Sequence, residues 1–422
     1  MGNPAEINLW IVNHYANRPG SSGLSRHYDF ARYFVQKGYR VTILCADIHY
    51  NTYEKLVDIP EGQNHYVQEI EGIFYVWIRT FPYSGNGVKR YLNIFSFYIR
   101  LQLLKREKEI GRPDLIIGSS FHPFTIWASL KYKRKTGVPF IAEIRDLWPE
   151  TMIQLGASRF NPVVMLLDFI QKKVYKESDA IVLLFPKAYE YINSLQLGIP
   201  SEKMNWIPNG VDVWQFSKPQ YPTEQVVDPD FFNVLNGGSL GNVYALEYLM
   251  LAAVILQNKK LPIHIYMIGS GPLEAKLKQM KVELELENVF FKKSLPKVQM
   301  PAVLAQFDLL YASLMNSPLY KYGISLTKLH ENMAAGKPIV FAVNTVNNPV
   351  NDSGCGFTVD SNDATGIASA IERMFELSTE ERQKMGNKAY KHAAANFDYS
   401  ALSTKYDSLI RRLITERKGQ NH

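Results

Sequence analysis

Lys328 and Glu331 stand three residues apart in SPLYKYGISLTKLHENMAAGKP, the stretch from Ser317 to Pro338. Pro318 and Gly323 break its front half, and a helical pattern starts at Ser325 or Leu326. Gly336-Lys337-Pro338 stops that pattern just before an apolar run, Ile339-Val340-Phe341. Ser325 fits an N-cap, and Gly336 fits the left-handed position after a helix end. A helix entered from a glycine loop leaves unpaired amides at its positive end, which attract phosphate. Lys328 adds a full charge one turn in, and Glu331, a turn further, offers a carboxylate to sugar hydroxyls. An anion cradle, a cation and a carboxylate in that order suit a nucleotide diphosphate. The same residues also suit a capped core helix carrying an ordinary Lys328–Glu331 pair.

These residues need a scaffold, and the chain is long enough for two. At 422 residues, 46% of them apolar, it is expected to form two domains, each with its own core. The only cysteines, Cys45 and Cys355, lie far apart in apolar settings. That argues against a disulfide framework or a thiolate metal site and for a reducing compartment. Ile7–Val12 is too short for the apolar part of a signal peptide, and no run is long enough to span a bilayer. A cytoplasmic location is expected. The formal charge of +7 permits an anionic partner without choosing among nucleotide, lipid and nucleic acid.

Ile7–Val12 reads as a central parallel strand, followed by a Gly/Ser/Pro-rich loop, a helix from Leu24 to Lys37, and a strand from Arg40 to Ala46. Apolar runs at 73–78, 114–118, 139–143, 180–184 and 205–207 continue the alternation of strand and helix. Pro208, Pro219, Pro222 and Pro229 interrupt it, and the rhythm restarts at Phe231 with strands at 231–236, 263–268, 289–291, 309–311 and 339–341. The fold class is therefore α/β: two facing Rossmann-like domains with a deep cleft between them. The expected boundaries are 1–207, a linker at 208–230, and 231–397, followed by a last helix from Asp398 to Arg417. Ser378-Thr379-Glu380-Glu381 reads as a capping box.

Ligands of parallel sheets gather at the carboxyl ends of strands. There the chain places Asn13, His14 and Ser21-Ser22-Gly23, then Ser119, Ser120 and His122, then Arg145, Asp146 and Glu150. Asn209-Gly210-Val211-Asp212 follows the last strand of the first half, and Gly237-Gly238-Ser239-Leu240-Gly241 the first strand of the second. Five polar strand ends plus the helix start at Ser325 indicate a site in the cleft. Alternative readings remain: His122 as the cap of the following helix, and Arg145–Asp146 as a local ion pair. Gly269-Ser270-Gly271 begins like a dinucleotide fingerprint, but Glu274 replaces the third glycine, which excludes a nicotinamide site.

From Val88 to Lys108, basic residues flank a helix rich in aromatic and aliphatic side chains. It suits an anionic membrane interface or a core helix with snorkelling ends. No nucleic-acid module accompanies the charge.

The segments IVNHYANRPGSSGLSRHYDFARYFVQKGYRVTIL, FIAEIRDLWPETMIQLG, IPNGVD, NGGSLGNVYALEYL and YKYGISLTKLHENMAAGKPIV resemble, in this order, glycosyltransferase family 4, which has the GT-B fold. Within that family the chain is most similar to bacterial fucosamine transferase-like enzymes of surface polysaccharide synthesis. The resemblance implies retaining transfer of a sugar from a nucleotide diphosphate, usually UDP, without a bound metal or other cofactor. The acceptor would be a hydroxyl of a glycan or polyprenyl-diphosphate-linked lipid. It also implies that the C-terminal domain holds the donor and that residues 398–422 cross back to the N-terminal, acceptor domain.

By position, Glu331 would bind ribose hydroxyls, and the amides of Gly323, Ile324 and Ser325 would meet the diphosphate, with Asn209, Gly238, Ser239 and Gly241 beside it. The family's first glutamate falls on Gly323, or on Tyr320 with an insertion. Its Arg and Lys near the glycine turn fall on Ser239 and Asn242, which makes Lys328 the substitute cation. His122, Arg145 and Asp146 would position donor sugar and acceptor, and Asn13, Ser22, Gly23 and Glu150 would bind the acceptor. A UDP-sugar 2-epimerase and an inactive membrane-bound scaffold are the competing readings.

Overall fold

The structure is a computed structural model, which describes residues 6–20, 25–85, 87–104, 110–154, 156–218, 221 and 223–420. The chain divides into two compact units, one of residues 1–208 with 402–422 and the other of residues 209–401.

The first unit carries eight strands. They are β1 (Ile7–Val12), β2 (Tyr39–Ala46), β3 (His65–Ile70), β4 (Ile73–Ile78), β5 (Leu115–Ser119), β6 (Phe140–Ile144), β7 (Ala180–Leu183) and β8 (Met204–Trp206). Their order across the sheet is β3-β4-β2-β1-β5-β6-β7-β8. All pair in parallel except β3, which turns back antiparallel on β4. The sequence pattern does not announce β3, because this edge strand is wet along much of its length and has no continuous apolar run. Chain order reverses at β1, with β2 on one side and β5 on the other. The crevice outside the carboxyl ends of β1 and β5 is therefore the topological switch point.

Under this sheet lies a buried ionic network. One Glu143 oxygen accepts from His27 Nε2 at 2.8 Å and Ser119 Oγ at 3.1 Å, and the other from Arg26 at 2.9 Å. Burial alone would push the Glu143 carboxyl up, but the charges of Arg26 and His27 hold it well below the usual range. Arg26 also donates to the carbonyls of Ile207 and Pro208, gripping the chain where it leaves the unit. The last helix, Tyr399–Gln420, starts in the second unit and from Leu402 onward belongs to the first. Its Tyr406 covers Phe30 and Phe34, with ring centroids 5.3 and 5.9 Å apart, and reaches Glu143 at 3.5 Å.

The second unit is a wholly parallel sheet of β9 (Phe232–Gly237), β10 (Ile263–Ile268), β11 (Val289–Lys292), β12 (Leu309–Ser313), β13 (Ile339–Ala342) and β14 (Gly356–Val359), in the order β11-β10-β9-β12-β13-β14. Helices Glu247–Asn258 and Ala364–Glu376 share one apolar core layer, through Leu249, Leu256, Ile367 and Ile371. Helices Thr327–Ala334 and Thr379–Asn396 share the other, through Leu329, Met333, Ala389 and Ala393. The capping box forms as expected, with Ser378 and Glu381 each bonding the other's backbone N–H. This unit's switch point lies between β9 and β12.

Helix Val88–Leu103 buries Asn93, Ile94 and Phe97 and exposes one stripe of Val88, Tyr91, Leu92, Phe95, Ile99 and Leu103. Lys105, Arg106 and Lys108, counted with it in the sequence, lie outside the described residues. Among the described residues no helix is long and apolar enough to cross a membrane.

Candidate functional site

In the second unit β9 ends in buried Asn236 and runs into the turn Gly237–Gly241, where Gly238 has φ +97° and Ser239 is exposed. The turn after β10 locks onto it. Gly238 N–H donates to the Ile268 carbonyl at 2.8 Å, and a Cβ on Gly269 would lie 1.7 Å from the Gly238 oxygen. Gly269-Ser270-Gly271 thus acts as a brace for the first glycine turn, by the close backbone approach only glycine allows. Gly241 is half-buried at the far end of that turn.

After β12 a short 3-10 turn, Pro318–Tyr322, leads through Gly323 at φ +96° to helix Thr327–Ala334. The N-cap is Leu326, not Ser325, and it supplies no capping side chain. Ser325 is used differently. Its hydroxyl accepts from the Asn209 amide N–H at 2.8 Å, and its carbonyl accepts from Asn209 Nδ2 at 2.8 Å.

A second correction concerns the expected cradle. The Gly323 amide donates to Tyr320 at 3.0 Å and the Ile324 amide to Asn347 Oδ1 at 2.8 Å, so neither is open to a ligand. The open donors begin at the next residue: among the described residues none accepts from the amides of Ser325, Leu326, Thr327 or Lys328. These are the orphan donors of a helix start.

Lys328 Nζ donates to Asn236 Oδ1 at 2.6 Å and lies 5.2 Å from the Tyr244 ring centroid. It thereby stands at the switch point, where a Cβ on Gly238 would lie 3.9 Å from the Lys328 Cδ. Burial lowers its pKa to about 7, with the charge of Glu331 pulling weakly upward. Glu331 is half-buried, and Lys297 approaches it at 3.6 Å. Open amides, a half-charged amine and a carboxylate one turn on can hold a diphosphate and the hydroxyls beyond it.

In the first unit the switch point holds a pair of histidines. His14 Nδ1 and His122 Nε2 are 2.6 Å apart, and His14 is stacked between Tyr15 and Phe97 at 4.2 and 4.3 Å. His122 occupies the N-cap of helix Pro123–Thr136, but its ring makes no capping bond. Burial, with Arg90 adding repulsion, lowers His122 to about 3, and burial with His122 lowers His14 well below the usual value. Both rings are neutral near pH 7, so they share one proton as donor and acceptor.

The remaining first-unit residues divide. Arg145 is buried with its guanidinium 5.9 Å from the Phe121 ring, and its amide donates to Ser120 Oγ at 3.0 Å. Burial raises Asp146 to about 6 against the pull of Arg145. Asn13, by contrast, is turned inward: its Nδ2 bonds His27 Nδ1 at 2.8 Å and its oxygen accepts from the Tyr15 amide. Glu150 opens the short helix Glu150–Gln154 and pairs with Arg159 at 3.1 Å. Ser22 and Gly23 lie outside the described residues.

Asn236, Tyr244, Asn347, His27 and Glu143 had no place in the sequence reading of the site. Asn236 had a signal, being a polar residue near the end of an apolar strand, just before the glycine turn. Asn347 had none, since its partner is reached only through the fold. Among the described residues no group of three His, Cys, Asp or Glu side chains could hold a metal ion.

Two nucleotide-type α/β units, one with an open helix start at its switch point, define the class: a GT-B protein. Residues 22–215 match the family described as Glycosyltransferase Family 4, and residues 217–392 match Glycosyl transferases group 1. The chain is a glycosyltransferase of family 4, of the GT-B type. Solved structures agree on the fold across nearly its whole length. Sucrose-phosphate synthase from Thermosynechococcus elongatus matches with a TM-score of 0.73 and 14% identity, over 97% of this chain and 100% of that one. Anabaena Alr3699/HepE, in complex with UDP and glucose, matches with a TM-score of 0.64 and 16% identity, over 96% and 100%. WaaG, a glycosyltransferase involved in lipopolysaccharide biosynthesis, matches with a TM-score of 0.65 and 14% identity, over 95% and 99%. No curated protein matches the chain by sequence.

Proposed function

We propose that the chain is a retaining glycosyltransferase of the fucosamine transferase-like kind, moving a sugar from a UDP-sugar to a hydroxyl of a glycan or polyprenyl-diphosphate-linked acceptor. The single observation that carries this reading is the helix start at Ser325–Lys328. Its four amides are open and its amine sits at the carboxyl end of β9. Negative charge builds on the departing diphosphate as the sugar C1–O bond breaks, and open amides with Lys328 are arranged to stabilise it. The acceptor oxygen attaches to C1 on the face the diphosphate leaves, and the acceptor's proton passes to a leaving phosphate oxygen. No separate base is required. His122, Arg145 and Asp146 position sugar and acceptor.

UDP as the carrier is favoured by the complexes of HepE with UDP and with UDP-glucose. A role in surface polysaccharide synthesis, at the inner face of the plasma membrane, is favoured by the WaaG likeness and by the exposed apolar stripe of helix Val88–Leu103. The test is a screen of UDP-sugars against lipid-linked acceptors, reading released UDP and the anomeric configuration of the product. Epimerised donor formed without acceptor would replace this reading with an epimerase. Calorimetry showing no preference among nucleotides would replace it with an inactive scaffold.

A further inference from the structure

A cavity of about 620 Å³ lies in the first unit, against the face of the sheet that carries Trp10, Leu44 and Ile116. Its size falls within the roughly 300–1,000 Å³ of small-molecule sites. Its floor is those three side chains, and its walls are the end of helix Val88–Leu103 with Leu104, and the later turns of helix Pro123–Thr136 with Ala128 and Tyr132. Val12 at the end of β1 and Leu44 late in β2 also line it, so it reaches along the sheet toward the carboxyl ends of these strands, and its wall residue Leu101 stands one helical turn from Phe97, which stacks on His14. His122 caps the start of helix Pro123–Thr136, whereas Lys131, Lys135 and Thr136 at the cavity belong to its end. Arg112, just ahead of β5, donates to the Thr136 carbonyl at 2.8 Å, placing this end of the cavity at the amino ends of the strands.

Three independent features describe what such a cavity takes. The interior is apolar, so filling it with hydrocarbon is favourable by the area removed from water. Arg112, Lys131 and Lys135 are all exposed at its edge, and helix Pro123–Thr136 has no acidic residue. Finally, Trp10 lines it with a buried indole N–H that has no acceptor among the described residues, although such groups in folded proteins are usually bonded. The basic edge and the orphan donor meet at one apolar cavity, which gives a ligand both a charge partner and a hydrogen-bond donor.

We propose that this cavity binds an anionic amphiphile. The hydrocarbon chain lies on Leu44, Leu101 and Ile116, and the phosphate head lies among Arg112, Lys131 and Lys135. An oxygen of the ligand near the head-to-chain junction accepts from Trp10. The exposed stripe through Ile99 and Leu103 adjoins the wall formed by Leu101 and Leu104, so a lipid can slide in from a bilayer without crossing water. The site does not depend on the transferase reading, because its basic edge lies at the amino ends of the strands and it needs no nucleotide.

The experiment is calorimetric titration of the full chain with dodecyl phosphate below its micelle concentration. Inorganic phosphate and dodecyltrimethylammonium serve as head-only and wrong-charge controls. Saturable binding of dodecyl phosphate at one site per chain, with neither control binding, is expected. Ala128→Phe fills the cavity and abolishes binding. Should that variant fold poorly, Lys131→Glu with Lys135→Glu, both at exposed positions, weakens binding by about tenfold or more. Vesicles of phosphatidylglycerol with brominated chains separate the sources, since quenching of tryptophan fluorescence lost in Ala128→Phe identifies a bilayer lipid as occupant. Quenching that persists in that variant, with dodecyl phosphate still lost, identifies a free amphiphile. The inference is overturned if dodecyl phosphate does not bind saturably, if inorganic phosphate binds as well, or if a folded Ala128→Phe binds normally.

Discussion

The Lys328 ammonium and the Asn236 side-chain oxygen are 2.6 Å apart, joining the first turn of a helix to the end of a strand 92 residues earlier. The bond holds the amine over the glycine turn, although β9 and helix Thr327–Ala334 are separated by three other strands in sequence. The family resemblance implies an Arg and a Lys near Ser239 and Asn242, and we propose that Lys328 takes their place. A positive charge can be delivered to one place from two different elements. Lys328→Ala therefore reduces turnover by more than about tenfold, or about 1.4 kcal/mol of barrier, in the released-UDP assay. A smaller loss would remove Lys328 from the mechanism. Asn236→Ala, which leaves the amine in place but loose, has the smaller effect of the two.

The pH behaviour of Lys328 follows from a pKa of about 7 in the free protein. A bound diphosphate favours the ammonium and raises that value, so binding at pH 8 takes up a proton. UDP affinity then falls as pH rises above 7. Titrations at pH 8 in buffers of different ionisation heat measure the uptake, which vanishes in Lys328→Met. The same shift has a stability side. The folded value lies below the 10.5 of a free lysine, so between pH 7 and 10.5 the unfolded chain binds more protons and this group's contribution to stability rises with pH. Lys328→Met is thus expected to melt at a higher temperature than the parent at pH 7 while losing UDP, a trade of function for stability.

Asn209 holds Ser325 through two hydrogen bonds. Asn209→Ala removes one of them and keeps the other, which comes from its backbone, at a cost of about 1 kcal/mol. Ser325→Ala removes the other. Denaturant melts of the two single variants and the double variant close a cycle. Because the two bonds brace one loop, the costs are expected not to add. Simple additivity would show that the loop has no need of both.

Glu143→Gln leaves Arg26 buried with a weakened partner, and a loss of about 3–5 kcal/mol at neutral pH is expected. The acid side gives the sharper check. The carboxyl is held well below the 4.5 of a free glutamate, so the stability it contributes is present above that pH and lost as pH falls through the folded value. The gap between parent and variant should narrow on acidification below pH 4.5. Denaturant midpoints from pH 7 to 3 would reveal a constant gap if packing, not charge, were responsible.

Val88→Asp with Ile99→Asp places two charges on the exposed stripe of helix Val88–Leu103, at side chains 75% and 52% exposed. Vesicle flotation should show recovery with anionic vesicles falling sharply, while the melting temperature stays unchanged. Recovery that is equal with neutral and anionic vesicles, or indifferent to the substitutions, would refute docking through this helix.

Much of the architecture was legible because parallel strands buried on both faces read as nearly continuous apolar runs; Ile7–Val12 and Ile339–Ala342 are such runs. β3 and β14 were not legible. The first is half wet, and Gly356 opens the second where a Cβ would strike the Ile339 carbonyl, so neither looks like a buried strand. Around the helix start, sequence located the right stretch but shifted its donors by a residue or two. Whether an amide is open depends on its acceptor, and the acceptor of Ile324 is Asn347, 23 residues away. His14 and His122 illustrate the same limit across 108 residues: each is a polar strand end by sequence, and only the fold makes them a pair.

Tyr406 closes over Phe30, Phe34 and Glu143 from a helix that the chain reaches only after the whole second unit. The first unit therefore cannot complete its core while the ribosome is still making the second. For some 200 residues of synthesis, Arg26 and Glu143 lack part of their cover and an apolar face waits in water. Late-arriving long-range contacts of this kind slow folding and expose intermediates to aggregation. The nascent chain is consequently expected to dwell in a half-built state, which a chaperone can recognise, until Leu402 and the residues after it emerge.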